Sequence, residues 1–184
     1  MGVNKLVNKA IFLDRDGVLN NAIIKKGKPY PPYKVKDVTF PTNIKRDLFQ
    51  LKKNGFLLIM ITNQPDVSRG KLSLRSLNDI NNYVKNQLDI DDVFICIHDD
   101  KDNCLCRKPK PGMIINASSK WNIDLTKSFL VGDRWRDIQA GIKIKIKTIL
   151  IDLEYDEKKV VADYEFKKFS QAVIKILELN KLNK

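Results

Sequence analysis

The chain has 184 residues, of which 43% are hydrophobic, which is enough for one globular domain with its own core and too little for two domains of ordinary size. We therefore predict a single domain over residues 1–184. Lys and Arg number 34 against 22 Asp and Glu, giving a formal charge of +12 that attracts phosphate-bearing molecules of any kind. Because the lysines are spread along the chain, a solvated surface is favoured over a nucleic-acid-binding surface.

The sequence contains no feature that predicts a membrane or secreted protein. No window reaches about 18 uninterrupted apolar residues, and residues 1–5 hold no apolar run long enough for a signal peptide. We expect a cytoplasmic protein with no membrane partner. Since thiols stay reduced in that compartment and three cysteines cannot all pair, metal binding or chemistry explains them better than disulfide bonds.

Short apolar runs alternate along the chain with segments of helical periodicity. The runs predict five buried strands, at residues 10–13, 56–61, 93–97, 129–131 and 148–151. Helices are predicted between and after them: from 44 to a cap at Gly55, after Ser73, around 113–121, from about Arg136, and along a stripe from Phe166 to Leu177. The alternation indicates an α/β fold, a Rossmann-like parallel sheet with helices on both faces.

Two segments are less regular. Residues 142–147 alternate Ile with Lys, which we interpret as the end of a helix that leads into a strand. Residues 20–41 carry four prolines and a glycine, so we predict a long irregular loop beside the first strand. Loops of this length usually serve a function.

Acidic residues follow the first predicted strand. Asp14 and Asp16 are two residues apart, and Gly17 lets the chain turn away after them. By itself such a pair is more often structural than functional. In sheets of this kind, however, ligands bind beyond the carboxyl ends of the strands. Two carboxylates there can hold Mg²⁺, or one can attack phosphorus while the other transfers protons.

Three further strands are followed by polar groups that suit the same chemistry. Thr62-Asn63-Gln64 ends the second strand, Arg107-Lys108-Pro109 follows the third, and Gly132-Asp133-Arg134 ends the fourth, with Asp137 beyond it. Phosphoryl transfer needs such a set, because its transition state is stabilised by positioning and by positive charge near the equatorial oxygens.

In order and spacing these four motifs resemble the haloacid dehalogenase superfamily of phosphohydrolases, over about residues 9–151. The resemblance implies that Asp14 is the nucleophile, which forms an aspartyl-phosphate, and that Asp16 is the general acid and base. It also implies that Thr62 and Lys108 hold the transferring phosphoryl group.

The same resemblance implies a catalytic Mg²⁺. Its ligands would be Asp14, Asp133 and the main-chain carbonyl of Asp16. Asp137, one turn into the next helix, is either the holder of a metal-bound water or a favourable partner of the helix dipole.

All three cysteines and the only histidine lie within residues 96–106, which we name the Cys/His loop. Random placement would gather them so closely less than about one time in a thousand. Cys-x-His and Cys-x-Cys supply four ligands for a tetrahedral Zn²⁺ and leave no position for water, so we predict a structural site. The alternative, a solvent-facing histidine with core cysteines, is disfavoured because residues 99–103 are too polar to be buried. The predicted zinc ligands are Cys96, His98, Cys104 and Cys106.

Arg-Lys-Pro directly after the Cys/His loop resembles two groups of the superfamily, heptose 1,7-bisphosphate phosphatases of lipopolysaccharide-precursor synthesis and histidinol-phosphate phosphatases. Lys110-Pro111-Gly112-Met113 and Ser68-Arg69-Gly70 are similar to the heptose group. The short spacer between His98 and Cys104 is closer to the histidinol-phosphate group. Pro65-Asp66 and residues 20–33 depart from the heptose pattern.

We expect a small phosphorylated sugar of the heptose 1,7-bisphosphate kind, with histidinol phosphate as the alternative. Arg107 and Arg134 can each grip a phosphate with two hydrogen bonds, and Asn63 and Gln64 are further substrate-binding candidates. A second phosphate on the substrate would explain both arginines. The alternative for either arginine is a surface ion pair.

Two rival functions are a polynucleotide 3′-phosphatase and a zinc-containing nucleic-acid-binding module without catalysis. The first needs a basic groove that the sequence does not show, and the second leaves the four motifs unexplained. We therefore expect no nucleic-acid partner. Only 48 positions separate Asp14 from Thr62 and 46 separate Thr62 from Lys108, so we also expect no separate cap domain, and we expect a monomer.

Overall fold

The computed structural model describes residues 7–182 of the chain. Its elements are, in order, β1 (Lys9–Leu13), β2 (Ile23–Lys25), β3 (Lys28–Tyr30), α1 (Ile44–Lys53), β4 (Phe56–Asn63), α2 (Leu74–Leu88), β5 (Asp92–Cys96), α3 (Gly112–Trp121), β6 (Phe129–Gly132), α4 (Trp135–Lys143), β7 (Lys147–Ile151), β8 (Tyr164–Phe166) and α5 (Phe169–Leu182). No helix in this range is long and apolar enough to span a membrane. Residues 1–5, which bear on the signal-peptide prediction, lie outside the described residues.

The main sheet has six strands in the order β5-β4-β1-β6-β7-β8. Every neighbouring pair is parallel, and Phe12 in the central strand lies opposite Ile59 on one side and Leu130 on the other. From β1 the chain builds the sheet outward through β4 and β5 on one side of β1, and then adds β6, β7 and β8 on the other side. The direction of strand addition therefore reverses at β1. Sheets of this kind bind their ligands at the carboxyl end of the strand where this reversal occurs.

The two faces of the sheet bury separate apolar clusters. Along β1, Ile11 and Leu13 enter a cluster with residues of α1, α2 and α5, whereas Ala10 and Phe12 enter a cluster with residues of α3 and α4. Strand side chains alternate between faces, so a continuous apolar run must be covered on both. The helices therefore pack on both faces, which confirms the predicted α/β class.

The helix boundaries follow local signals in the sequence. The Ser73 hydroxyl accepts a hydrogen bond from the backbone N–H of Ser76 at 3.0 Å and so caps the start of α2. After α1, Gly55 adopts a φ of +82°, which a side chain would disfavour. Ser73 thus marks the start of α2, and Gly55 marks the turn from α1 into β4.

The five predicted strands are present as β1, β4, β5, β6 and β7, with bounds that differ by one or two residues. The prediction of a five-stranded sheet misses the edge strand β8. The assignment of Phe166 to the final helix is wrong, because Phe166 pairs in β8 and α5 begins at Phe169. A three-residue edge strand is too short to show a period of its own.

The segment 20–41 is more ordered than the predicted irregular loop. It contains the antiparallel hairpin β2–β3, in which Ile23 pairs with Tyr30. Lys26 and Gly27 form its turn, both with positive φ, 50° and 71°, as a two-residue hairpin turn requires. The interpretation of residues 142–147 is confirmed, since α4 ends at Lys143 and β7 begins at Lys147.

The burial pattern of α1 gives a test of this core. Leu51 is fully buried, whereas Phe49 on the same helix is 62% exposed. Leu51→Ala should lower the free energy of unfolding by about 2–5 kcal/mol, because it removes packed methyl groups and leaves a cavity. Phe49→Ala is the matched control and should stay within about 0.5 kcal/mol of the parent. Urea denaturation followed by circular dichroism measures both, and equal losses would contradict this packing.

Candidate active site

The carboxyl ends of the central strands open into one cleft of about 350 Å³. Among the predicted site residues, the structure brings together along this cleft Asp14, Asp16, Thr62, Asn63, Lys108, Arg134 and Asp137. These residues end β4, follow β1, β5 or β6, or, in the case of Asp137, lie in the first turn of α4. The parallel topology brings the carboxyl ends of these strands together. The predicted strand-end groups therefore form a common site.

Lys108 is the buried cation of the site, with its side chain only 2% exposed. Its Nζ lies 2.9 Å from Asp14 Oδ1 and 2.5 Å from Asp137 Oδ1, and it donates to the carbonyl of Ile61 at 3.0 Å. Burial alone would lower the pKa of Lys108, but the two carboxylates outweigh it and raise that pKa above its ordinary value. Lys108 is therefore held as an ammonium ion.

Asp14, Asp133 and Asp137 form an acidic cluster whose carboxylates each offer an oxygen within 4.8 Å of the others. Burial, helped by the charge of Asp137 and opposed by Lys108, raises the pKa of Asp14 to about 6. Burial and the charge of Asp14 also raise the pKa of Asp133 well above its ordinary value. One ammonium ion does not offset three carboxylates, so the cluster has room for more positive charge.

Asp133 carries the clearest sign of a cation site. Neither of its buried carboxylate oxygens makes a hydrogen bond of good geometry among residues 7–182, and the neighbouring Tyr155 hydroxyl offsets only part of the rise in the pKa of Asp133. A buried charge with so little compensation is costly. Gly17 permits this placement, since a Cβ there would lie 1.9 Å from Asp133 Oδ2. Oxygen donors of this kind suit a hard divalent cation such as Mg²⁺. The predicted use of the main-chain carbonyl of Asp16 stays a prediction.

The carboxylate of Asp16 is held by four hydrogen bonds. Oδ2 accepts from Arg15 Nη2 and Gln64 Nε2, both at 2.8 Å, and Oδ1 accepts from Arg15 Nε and Asn20 Nδ2, both at 3.1 Å. Arg15 is fully buried, and its Nη1 donates to Asn81 Oδ1 of α2 at 2.7 Å. The network fixes the orientation of the carboxylate.

Arg15, Asn20 and Asn81 are site residues that the sequence motifs do not reveal. No spacing rule joins Arg15 to a residue 66 positions away. The sequence offers one indication for Arg15, which lies between two aspartates directly after a predicted buried strand.

Asn63 and Gln64 contact the other site residues. The side chain of Asn63 grips the backbone of Lys108 twice, donating to its carbonyl at 2.9 Å and accepting from its N–H at 3.0 Å. Gln64 is buried and donates to Thr62 Oγ1 at 2.8 Å as well as to Asp16. Asn63 also lines the cleft, whereas Gln64 does not. The hydrogen bonds of Gln64 position Thr62 and Asp16, and its predicted substrate-binding role stays a prediction.

The two predicted phosphate-gripping arginines differ in their placement. Arg107 is buried and is not among the residues that line the cleft; its Nε donates to Asp100 Oδ1 at 2.9 Å and its Nη1 to the carbonyl of His98 at 3.2 Å. Its predicted contact with substrate stays a prediction, since the side chain is directed to the Cys/His loop in this structure. Arg134 does line the cleft, and it pairs with Glu157. Both arginines thus make ion pairs, the alternative raised from the sequence.

Four further basic residues line the cleft, Lys28, Arg69, Lys71 and Arg136. Arg69 donates from Nε and Nη2 to the two oxygens of Asp99, at 2.8 and 2.7 Å. Arg136 donates in the same manner to Asp100, at 3.0 and 3.2 Å. The acidic residues of the Cys/His loop therefore orient two arginines of the cleft wall.

The four predicted zinc ligands converge. Cys96 Sγ lies 3.7 Å from His98 Nδ1 and 3.6 Å from Cys104 Sγ, and Cys106 Sγ lies 3.4 Å from each of the same two atoms. A tetrahedral ion with zinc–sulfur bonds of about 2.3 Å has edges of about 3.8 Å. Without a metal, burial raises the pKa of the Cys96 and Cys106 thiols, whereas hydrogen bonds from the Arg107 backbone and the other thiols outweigh burial and lower the pKa of Cys104 to about 7. The fit to zinc rests on the convergence of the four side chains. The donor set therefore fits Zn²⁺.

The parallel sheet, the strand-end motifs and the buried acidic cluster define a phosphatase of the haloacid dehalogenase superfamily. Within it, the chain belongs to the family described as polynucleotide kinase 3 phosphatase, whose model matches residues 10–175.

Curated relatives point to one kind of phosphatase. A Helicobacter pylori protein named D-glycero-beta-D-manno-heptose-1,7-bisphosphate 7-phosphatase is 34% identical over 172 residues, which cover 90% of this chain and 96% of that protein. A Campylobacter jejuni protein named for the alpha form of the same sugar is 33% identical, and the match covers 88% of this chain and 90% of that one.

A solved structure agrees with the fold. The D,D-heptose 1,7-bisphosphate phosphatase of B. bronchiseptica, complexed with magnesium and phosphate, superposes with a TM-score of 0.79 at 24% identity. The match covers 93% of this chain and 99% of that chain. The match confirms the predicted fold.

Because the pKa of Asp133 is raised, the metal-free protein should lose folding stability as the pH rises. The folded pKa of Asp133 lies above the ordinary 3.8, so folding takes up a proton and stability falls as pH rises through this range. Asp133→Asn removes that charge and should raise the melting temperature without metal, more at pH 7.5 than at pH 4.5.

Asp163→Asn is the control, because the pKa of Asp163 is shifted in the opposite direction to that of Asp133. Hydrogen bonds from Thr148 outweigh burial and lower the pKa of Asp163, so its carboxylate stabilises the fold above the ordinary value. Because both pH values lie above that ordinary value, this variant should lose about the same stability at pH 7.5 as at pH 4.5. Differential scanning fluorimetry in a chelator measures both variants. A gain for Asp133→Asn that is the same at both pH values would contradict the assigned repulsion.

Proposed function

We propose that this protein is a Mg²⁺-dependent phosphatase that hydrolyses D-glycero-D-manno-heptose 1,7-bisphosphate, removing the 7-phosphate. The observation that carries the proposal is Asp14, which ends the central strand in a cleft beside the buried ammonium of Lys108. The names of the Helicobacter and Campylobacter relatives support the substrate. A cytoplasmic location and a monomeric state stay predictions.

In the proposed mechanism a carboxylate oxygen of Asp14 attacks the phosphorus atom and forms an aspartyl-phosphate. Lys108, and the hydroxyl of Thr62, contact the oxygens of the transferring phosphoryl group and offset its negative charge. Asp16 gives a proton to the departing sugar oxygen. It then takes a proton from water, whose oxygen attacks the phosphorus atom, releases phosphate and regenerates Asp14.

Mg²⁺, held by Asp14, Asp133 and the main-chain carbonyl of Asp16, would supply the positive charge that lets an anionic nucleophile approach an anionic phosphate. The acidic cluster supports this site, because its charge exceeds that of Lys108 and neither oxygen of Asp133 makes a hydrogen bond of good geometry among the described residues. Asp137 already pairs with Lys108. We therefore assign Asp137 to orienting the lysine.

Asp14→Asn should lower turnover by roughly 10³-fold or more while the fold is kept, because the amide cannot act as the nucleophile. Asp79→Asn, an exposed change on α2, is the matched control and should leave turnover unchanged. Phosphate release from the heptose bisphosphate measures activity, and circular dichroism checks folding. A folded Asp14→Asn protein that keeps more than about a tenth of the parent turnover would refute the assignment.

The substrate is tested by comparing kcat/KM for three compounds. Heptose 1,7-bisphosphate should exceed both histidinol phosphate and a 3′-phosphorylated oligonucleotide, the substrate that the family description suggests. The relatives differ in the anomer they are named for, so both anomers belong in the comparison. If either other compound equals the heptose bisphosphate, the proposed substrate is wrong.

We also propose that the Cys/His loop binds one structural Zn²⁺ through Cys96, His98, Cys104 and Cys106. Structural zinc contributes about 10 to 16 kcal/mol of apparent binding free energy in small peptides. Cys104→Ser should therefore lower the zinc content and the melting temperature. Activity should fall as well, because Lys108 follows the last ligand by two residues.

The control for the zinc experiment is Ser119→Ala, an exposed change on α3, which should alter none of the three readouts. Elemental analysis of protein purified without added metal measures zinc content. Parent protein that contains no zinc and titrates with free thiols throughout would contradict the proposal.

A further inference from the structure

We propose that Lys28 and Lys71, on the wall of the cleft, bind the phosphate group of the substrate that is not cleaved. The proposal rests on the proposed function and extends it, because it names the residues that distinguish a sugar bisphosphate from a monophosphate. In this proposal Lys28 and Lys71 have the phosphate-binding role that the sequence suggested for Arg107, which does not line the cleft.

The other basic residues of the cleft already have carboxylate partners. Lys108 pairs with Asp14 and Asp137. Arg69 pairs with Asp99, Arg134 with Glu157, and Arg136 with Asp100. A second phosphate that bound these arginines would have to displace a carboxylate, and the exchange of one anion for another gains little.

Lys28 and Lys71 are different. Both line the cleft and are exposed, and neither has an ion pair or a side-chain hydrogen bond among residues 7–182. A phosphate that meets them exchanges no existing partner, so the full charge-assisted contact contributes to binding. They are therefore the two lining cations of the described chain that are open to an anion.

The structure also connects the two segments that carry these lysines. Lys28 begins β3 of the hairpin, and Lys71 lies in the connection between β4 and α2. The Tyr33 hydroxyl, just beyond the hairpin, donates to Asp66 Oδ2 at 2.5 Å. The main-chain carbonyl of Asp66 accepts from the N–H of Lys71 at 2.8 Å. Asp66 thus joins both segments, and the two lysines face a common opening.

This arrangement separates two anion sites within one cleft. The buried ammonium of Lys108 serves the phosphate that reacts at Asp14, while two exposed ammonium groups serve a phosphate at the far end of the substrate. A cleft of about 350 Å³ has the size of a small-molecule site. An amine at that far end, as in histidinol phosphate, would be repelled by the lysines.

The test compares heptose 1,7-bisphosphate with the corresponding heptose 7-phosphate, which has no second phosphate. Lys28→Ala and Lys71→Ala should each raise KM for the bisphosphate about 10-fold, and the double variant should raise it about 100-fold. The kcat for the bisphosphate and both constants for the monophosphate should change less than about twofold. Lys53→Ala, an exposed change on α1 outside the cleft, is the matched control.

Two results would overturn the proposal: a KM for the bisphosphate that does not change in the double variant, or an equal rise for both substrates. If the parent enzyme hydrolyses neither heptose phosphate, the proposed function fails separately. Calorimetry with fructose 1,6-bisphosphate and fructose 6-phosphate then tests the lysines. They are supported if the parent prefers the bisphosphate and the double variant loses that preference, and they are refuted otherwise.

Discussion

The repulsion among three buried carboxylates, countered by a single ammonium group, is the interaction on which the site depends. Asp14, Asp133 and Asp137 lie within a few ångströms of one another close to the ends of β1 and β6, and Lys108, which pairs with Asp14 and Asp137, neutralises part of their charge. The surrounding sheet holds them there, because each follows or lies close behind a fully buried strand. The negative charge that is unfavourable to folding is what a divalent cation requires of such a site, and the bound cation would in turn offset the charge of the phosphoryl group.

The Cys/His loop connects this buried centre to the outer cleft. Its last ligand precedes Lys108 by two residues, so the order of the loop determines where the ammonium lies. Asp99 and Asp100, from the same loop, hold Arg69 and Arg136 on the cleft wall. One structural zinc would therefore help to position both the buried ammonium and two arginines of the cleft wall, which would be a physical reason for a metal site outside the catalytic centre.

Strong local signals explain what could be predicted from the sequence. Buried strands of a parallel sheet are continuous apolar runs, and the residues after them converge by topology, so the amino-acid order alone places Asp14, Thr62, Lys108 and Asp133 at one edge of the sheet. The convergence of the four predicted zinc ligands could be expected from the sequence, because chance rarely places all the cysteines and the only histidine in so short a segment. The edge strand β8 and the hairpin β2–β3 could not, because three-residue strands show no period. Neither the orientation of Arg107 toward Asp100 nor the contact of Arg15 with Asn81 has a sequence signal, since both depend on tertiary packing.

The central claim is that the acidic cluster is a cation site, and Mg²⁺ binding tests it most directly. A ligand that binds only the folded state raises its stability with concentration. Titration of the metal-free protein with Mg²⁺ at pH 7.5 should raise the melting temperature progressively, and calorimetry should show one ion per chain. Asp133→Asn should abolish both effects. A melting temperature that Mg²⁺ leaves unchanged in the parent protein, or that rises equally in the variant, would contradict the claim.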